Sequence, residues 1–318
     1  MKRDLHSKIV ATLISIIGAF LLAGGCDTML YEEMLDCPQG VYLKFYTKTP
    51  CDVDTLYPAD IKNVNIYVFD SENKFVVEYK ASNVTLSSEY EFLVPIYPYG
   101  TYSFVAWAGV NEHYILQNPK QGLTTKEELL LSLKQTAGIA DNLNGNSLYV
   151  GNSVDVSLPD PESVLGAYYA HIPVGMTRYT NNIEVIVEGI AVPQNYQVKI
   201  SMSNGDYAMK GNILSTGEIL QYPAEYTYGD RVLSAEFTTL KLENGYDDRI
   251  ILIGNENKIL YDEELLTTIL LQTPDVNLNC DHDFVIRFKV QEETYAVTEV
   301  WVNDWLIHSY DTDVESDY

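Results

Sequence analysis

Arginine is nearly absent from this sequence: after Arg3 none occurs until Arg178, a gap covering more than half of the 318 residues. Basic residues of both kinds are scarce, 20 against 45 acids, for a formal net charge of −25. Such a surface repels phosphate backbones and excludes nucleic acid as a partner. It also disfavours adsorption to anionic lipid through a basic patch. Four cysteines are too few for a disulfide-built scaffold, and neither Cys-x-x-Cys nor a cysteine and histidine spacing marks a metal site. Signatures of common catalysis are missing as well: there is no Gly-x-Ser-x-Gly elbow, no His-Glu-x-x-His helix and no glycine loop to cradle phosphate. Of five histidines, His6 lies in the N-terminal segment, and His113, His171 and His308 have no sequence neighbours that form an acid-base pair. Asp281-His282-Asp283 is the most tempting cluster and reads as a polar turn ahead of a strand. Asp311, Asp313, Glu315 and Asp317 alternate as calcium ligands do, but without the turn glycine and the terminal glutamate at loop spacing, so they read as a solvated tail. The expectation is a protein without enzymatic activity, cofactor or metal.

What is present starts with Cys26. Lys2, Arg3 and Lys8 give a basic start, Ile9 to Ala23 an apolar run, and Gly24-Gly25-Cys26 a small-residue cleavage site ending in a thiol. The run is short of the roughly 20 apolar residues that a spanning helix needs. Residues 1–25 therefore read as a lipoprotein signal peptide and Cys26 as the lipid attachment site, although Leu22 stands one position farther from the cysteine than the usual pattern has it. Acyl chains on Cys26 would hold the protein to a membrane at roughly 0.8 kcal/mol per buried methylene, and one chain alone is marginal. Residues 1–25 contain three basic residues and one acid, so the remainder carries 17 against 44, a net charge of −27. Residues 26–40 are acidic and include Pro38 and Gly40, as suits a tether. Cys37, Cys51 and Cys280 remain, an odd number that cannot all pair within one chain. An extended segment at Val41–Tyr46 disfavours Cys37 pairing with Cys51, and the disulfide state stays open.

With 46% hydrophobic residues the chain can bury a sizeable core, and its 25 tyrosines point to strands. Val64, Ile66 and Val68 alternate with Asn63, Asn65 and Tyr67, and Asp70-Ser71-Glu72-Asn73 makes a hairpin turn before Phe75. Pro98-Tyr99-Gly100 turns the chain into a strand with Tyr102, Phe104 and Ala106 on one face. Thr124 or Thr125, with Glu127 and Glu128, predicts a short helix through Leu129, Leu130, Leu131 and Leu133. Pro159-Asp160-Pro161 is the clearest break and puts a domain boundary near residue 165. Beyond it, Ile183, Val185 and Val187, then Phe284, Ile286, Phe288 and Val290, predict further strands, and Asp262–Leu271 a second helix. Trp301 and Trp305 flank Asn303-Asp304, a turn between short strands, with both rings expected in packing rather than ligand stacking. The fold expected is all-β: two tandem β-sandwiches with one short helix each, at residues 41–165 and 166–318.

Several segments together resemble the FimB-type fimbrial anchor lipoproteins of Bacteroidetes, which hold type V pili on the outer membrane. They are Cys26, Asp36-Cys37-Pro38 with the strand Val41–Tyr46, Val64–Asp70, Tyr99-Gly100-Thr101-Tyr102, Arg178–Ile183 and Val302-Asn303-Asp304-Trp305. Their order and spacing over nearly the whole chain carry the resemblance. It implies Greek-key, transthyretin-like sandwiches, a structural role at the base of the fimbria, a fimbrial shaft subunit as partner and outer-membrane lipid reached through acylated Cys26. It also implies subunits joined by strand exchange, in which a strand of one chain completes a sheet of its neighbour. Shaft subunits of such pili lose their N-terminal strand and lipid together to an Arg-specific protease. Here no arginine lies between Cys26 and Thr177, so such a cut could free the first strand only by removing the first domain. Three other readings compete: a surface glycan-binding lipoprotein, a tip or accessory pilus subunit, and a lipid-tethered hydrolase whose site would need a polar cleft with perturbed acids.

Overall fold

The computed structural model describes residues 38–309, apart from 129, 161–162, 164–165, 210, 215–217 and 272–275. The signal peptide 1–25, Cys26, Cys37, most of the tether 26–40, Pro161 and the acidic tail from Asp311 lie outside the described residues.

The first half opens with β1 (Gln39–Thr47), β2 (Asn63–Asp70), β3 (Phe75–Ser82), β4 (Phe92–Pro95) and β5 (Gly100–Ala108). Four short strands follow: β6 (Tyr114–Leu116), β7 (Leu130–Leu133), β8 (Gln135–Thr136) and β9 (Ile139–Ala140). Then come β10 (Tyr149–Asn152), β11 (Val156–Leu158) and the long β12 (Tyr168–Arg178). The second half runs β13 (Thr180–Glu188), β14 (Gln197–Met202), β15 (Asp206–Ala208), β16 (Ile213–Leu214) and β17 (Leu220–Tyr222). It continues with β18 (Glu225–Gly229), β19 (Val232–Leu240), β20 (Asp248–Ile253), β21 (Ile259–Glu263) and helix α1 (Leu265–Leu270). It closes with β22 (Asp283–Gln291), β23 (Ala296–Val302) and β24 (Trp305–Ser309).

Pairing makes four sheets among the described residues. The first has the order β3-β2-β5-β10-β12-β1-β4, with β11 also on β5. The second is β18-β19-β13-β22-β23-β24, the third β21-β20-β14-β17-β9-β8, and the fourth β16-β15-β7-β6. The all-β expectation holds, but the halves interleave: β7 pairs with β15 and β9 with β17, so strands of the first half complete sheets of the second. Sheet membership changes at Tyr179, between β12 and β13, which is downstream of the Pro159 break and of residue 165.

The helix expected after Thr124 does not form. Leu131 and Leu133 are buried while Leu130 and Ser132 are half-exposed, a period of two that seats β7 between β6 and β15. Glu128 still reaches back to accept the Thr125 N–H at 2.9 Å, closing a turn instead of starting a helix. The second helix forms only as the six residues of α1. Its expected first turn, Asp262 and Glu263, belongs to β21, because Tyr261 turns inward against Phe288 with ring centroids 4.8 Å apart.

Two hydrophobic clusters organise the core. Val64, Ile66 and Val68 of β2 point into the first with Phe104, Ala106 and Ala108 of β5. Tyr67, Phe69, Val105 and Trp107, on the opposite faces of the same strands, enter the second with Ile183, Val185, Phe284 and Ile286. The first sheet is thus buried on both faces where β2 and β5 lie, and the second cluster is one core shared by both halves. Trp107 marks the seam: its indole N–H points at Met209 Sδ, 2.7 Å away. Many tyrosines serve this core. Tyr207 OH donates to Tyr179 O at 3.1 Å and Tyr222 OH to Asn204 Oδ1 at 3.0 Å, so these two buried hydroxyls are satisfied internally.

Gly109 turns the chain out of β5 at φ +83°, and a Cβ there would sit 2.1 Å from Ser147 O. Gly109→Ala is expected to lower stability by more than about 1 kcal/mol, from backbone strain and displacement of the β10 approach. Urea unfolding of the variant checks this, and an unchanged midpoint would contradict it.

Candidate assembly surfaces

The first described strand is not available to leave its sheet lightly. β1 pairs with β12 in parallel along all nine of its residues and with β4 on the other edge. Val41, Leu43 and Phe45 are fully buried in the first cluster, and burying each such side chain stabilises by roughly 2 kcal/mol. Arg178, the first arginine after Arg3, closes β12 in register with Tyr149. Its guanidinium is held by Asp283 at 3.3 Å and is largely covered.

Among the described residues β24 is an edge strand, and Trp305-Leu306-Ile307-His308-Ser309 contains no lysine, arginine or acid. An edge without charge is where strand addition is least opposed. Ile307 turns into the core while Trp305, 52% exposed, and Leu306 stay at the surface. Asn303 and Asp304 make the turn into β24 with φ of 45° and 69°, the left-handed pair of a two-residue hairpin. Trp301 is occupied: its N–H donates to Glu299 Oε2 at 2.8 Å, and Lys289 lies over its ring. The two tryptophans therefore differ in setting, one braced by charged neighbours and one open at the edge.

The cysteines resolve in a way the sequence left open. Cys51 and Cys280 form a disulfide with Cα atoms 6.0 Å apart across 229 residues. It joins the loop after β1 to the turn before β22, one from each half. Only the tertiary fold signals it, since nothing in the spacing relates the two positions. Next to it, His282 is buried with neither ring nitrogen hydrogen-bonded. Burial, then the positive charges of Arg178 and Lys241, push its pKa down to about 4. Asp283 bonds Asn182 Nδ2 at 2.8 Å as well as Arg178, so Asp281-His282-Asp283 is divided between a turn, the junction of the halves and a strand start. Of the remaining histidines, His171 stacks on Tyr42 at 4.9 Å and meets Glu91 at 3.0 Å, and His113 lies 3.4 Å from Asp141. Among the described residues no three His, Cys, Asp or Glu side chains gather as metal ligands do. No described helix is long and apolar enough to cross a membrane.

Comparison with known proteins decides what these surfaces belong to. A family model described as Mfa2, fimbrillin-A associated anchor proteins Mfa1 and Mfa2, matches residues 34–311. The chain belongs to the Mfa2 family of fimbrial anchor proteins. The minor fimbrium anchoring subunit Mfa2 of Porphyromonas gingivalis is 34% identical over 327 aligned positions, spanning 99% of this chain and 100% of the relative. The solved structure of that anchor covers 86% of this chain and 100% of its own, with a TM-score of 0.78. A solved adhesin candidate from Bacteroides thetaiotaomicron, 18% identical, shares the fold with a TM-score of 0.72 over 87% of this chain and 100% of its own. The resemblance read from the sequence is borne out, and with it a fimbrial anchoring or accessory role at the cell surface. The relatives at 34% identity are named as fimbrial anchor proteins.

Proposed function

We propose that this Mfa2-family protein moors a fimbria to the outer membrane through acyl chains on Cys26, keeps its own first strand, and meets the basal shaft subunit by a strand contact at the β24 edge. The burial of β1 between β12 and β4 is the observation that carries this reading. A shaft subunit that is to accept a neighbour's strand must vacate that place, whereas here it is filled by the chain's own residues. The arginine-free stretch up to Arg178 supports it, since an Arg-directed protease has no site between the lipid and the first strand. The uncharged, partly apolar edge of β24 supports the contact, with main-chain bonds supplying strength and alternate side chains register.

Two substitutions separate the parts. Cys26→Ser is expected to release the protein and its fimbriae into the medium, read by fractionation and a palmitate label. The pair Trp305→Lys and Leu306→Lys is expected to leave the protein on membranes but cut its co-purification with fimbrial subunits by at least tenfold. Fimbriae that remain on cells carrying Cys26→Ser would refute lipid mooring. Undiminished co-purification of the charged β24 variant would refute the edge contact. A glycan-binding role needs Trp301, Trp305 and several tyrosines exposed on one platform; Trp301 braced by Glu299 and Lys289 speaks against it.

A further inference from the structure

At the end of the first sheet from which β1 starts, the side made by β1, β4 and β12 is rich in exposed tyrosine and poor in charge, while the β2–β3 turn across the sheet carries Asp70, Glu72 and Lys74. Register brings its parts together: Gln39 and Gly40 lie beside Tyr168 and Tyr169, and Gly40 faces Pro95. The Pro95–Gly100 connection folds over the same end, where Gln39 Nε2 donates to Tyr97 O at 2.8 Å and the Ile96 N–H to Gln39 O at 3.1 Å. Tyr97 is 60% exposed, Tyr99 64% and Tyr169 37%. No charged side chain occurs from Leu93 to Val110 or from Ser163 to Ala170, in a chain whose net charge is −25. Three large aromatic rings on the uncharged side of this end, in so acidic a molecule, call for a partner that is neither basic nor water.

The chain itself says what lies near. From Cys26 to Pro38 there are twelve residue steps, which can reach no farther than about 40 Å even when fully drawn out. Pro38 is part of this end, its carbonyl accepting the Tyr168 N–H at 3.1 Å. On the reading that Cys26 carries lipid, no other end of the first sheet is held as close to the bilayer. Tyrosine suits that place, because its ring is apolar and its hydroxyl wet, and it concentrates where bilayer meets water. Asp70, in register with Tyr102, and Asp160 flank the end and disfavour anionic lipid, which leaves a neutral, zwitterionic surface as the fit.

We infer that Tyr97, Tyr99 and Tyr169 form a seat for the phospholipid head-group zone, so that the acylated protein rests on the membrane by the β1 end of its first sheet instead of swinging freely on its tether. The inference rests on lipid mooring at Cys26 and adds an orientation to it. Seated this way, the far end of β1 and the Cys51–Cys280 junction point away from the bilayer.

The test uses the full lipidated protein in vesicles of phosphatidylcholine, plain or brominated on the acyl chains. Tyr99→Trp places a reporter in the seat, Tyr97→Trp repeats it should the first variant fold poorly, and Val53→Trp is the comparison. Val53 is 88% exposed in the loop leaving the opposite end of β1, about 30 Å away along nine residues. With the parent emission subtracted, the reporter at 99 is expected to shift to the blue and lose at least half its intensity to bromine, and the reporter at 53 to do neither. Protein that floats with the vesicles yet shows no quenching at 99 or 97 would overturn the seat and leave mooring intact. Protein that fails to float would overturn the mooring and the seat with it. A blue shift at 99 on adding soluble polysaccharide without vesicles would give the rim to sugar and overturn the seat.

Discussion

Replacing Cys51 and Cys280 together by serine is expected to cause the largest loss of stability of any pair of surface changes in this protein. The bond closes a loop of 229 residues, and in the chain-entropy account closing so long a loop removes roughly 5 kcal/mol of freedom from the unfolded chain. For a domain of this size that corresponds to a fall of about 10 °C in Tm. Calorimetry of the oxidised parent, the reduced parent and the double variant checks the expectation. The last two should coincide well below the first, and a reduced parent as stable as the oxidised one would contradict it. The bond has a mechanical sense on the mooring reading. Cys51 lies four residues past β1, the strand next to the tether, and Cys280 three residues before β22, a central strand of the second sheet. A pull entering by the lipid would therefore reach the second half through a covalent link as well as through packing. An oxidising envelope compartment is where such a bond persists.

The second large effect is a pair of opposed proton linkages. His282 is buried at the junction of the halves with its pKa pushed down to about 4 by burial first and then by Arg178 and Lys241. Asp248 is buried beneath α1, and burial first, then Glu264 and Asp247, push its pKa up to about 6 against the Leu266 N–H that bonds it at 3.1 Å. As pH falls from about 6.5 to 4 the unfolded histidine takes a proton that the folded one refuses, so stability is lost. As pH falls from about 6 to 4 the folded aspartate takes a proton before the unfolded one does, so stability is gained. Each shift is worth about 3 kcal/mol, and over most of that range the two offset. Removing one should unmask the other. Compared with the parent between pH 7 and 4, Asp248→Asn is expected to lose about 3 kcal/mol more, and His282→Gln about 3 kcal/mol less. Urea midpoints at the two pH values measure this directly. Equal pH dependence in parent and variants would show that neither group titrates as its burial requires.

Much of this protein was legible from one-dimensional pattern. Ile183, Val185 and Val187 lie in β13 and Phe284, Ile286 and Phe288 beside them in β22, as their period of two required. The Asp70 turn closes with the aspartate oxygen accepting both the Glu72 and Lys74 N–H groups at 2.9 Å, and Asn303-Asp304 makes the last hairpin. The leucines after Thr125 were misleading for a physical reason. A run of four residues can meet helix and strand templates alike, and β15, more than 70 residues later, supplies the partner that decides for strand. Pro159 looked like a boundary because proline breaks local structure. It breaks a strand run, but the sheet continues through β12 to Arg178.

The sequence by itself determined the β character, the excess of acid, the lack of catalytic motifs, the candidate lipid site at Cys26 and the family. Each of these is local composition, short-range periodicity or a motif in order, and needs no knowledge of what lies opposite. Tertiary structure alone decided that Cys51 meets Cys280, that His282 is buried without a partner, that strands of the first half complete sheets of the second, and that Tyr97, Tyr99 and Tyr169 share one end. Those facts depend on contacts between residues tens to hundreds of positions apart, and pairing in a sheet is chosen by the partner strand and the shared core rather than by the strand's own residues.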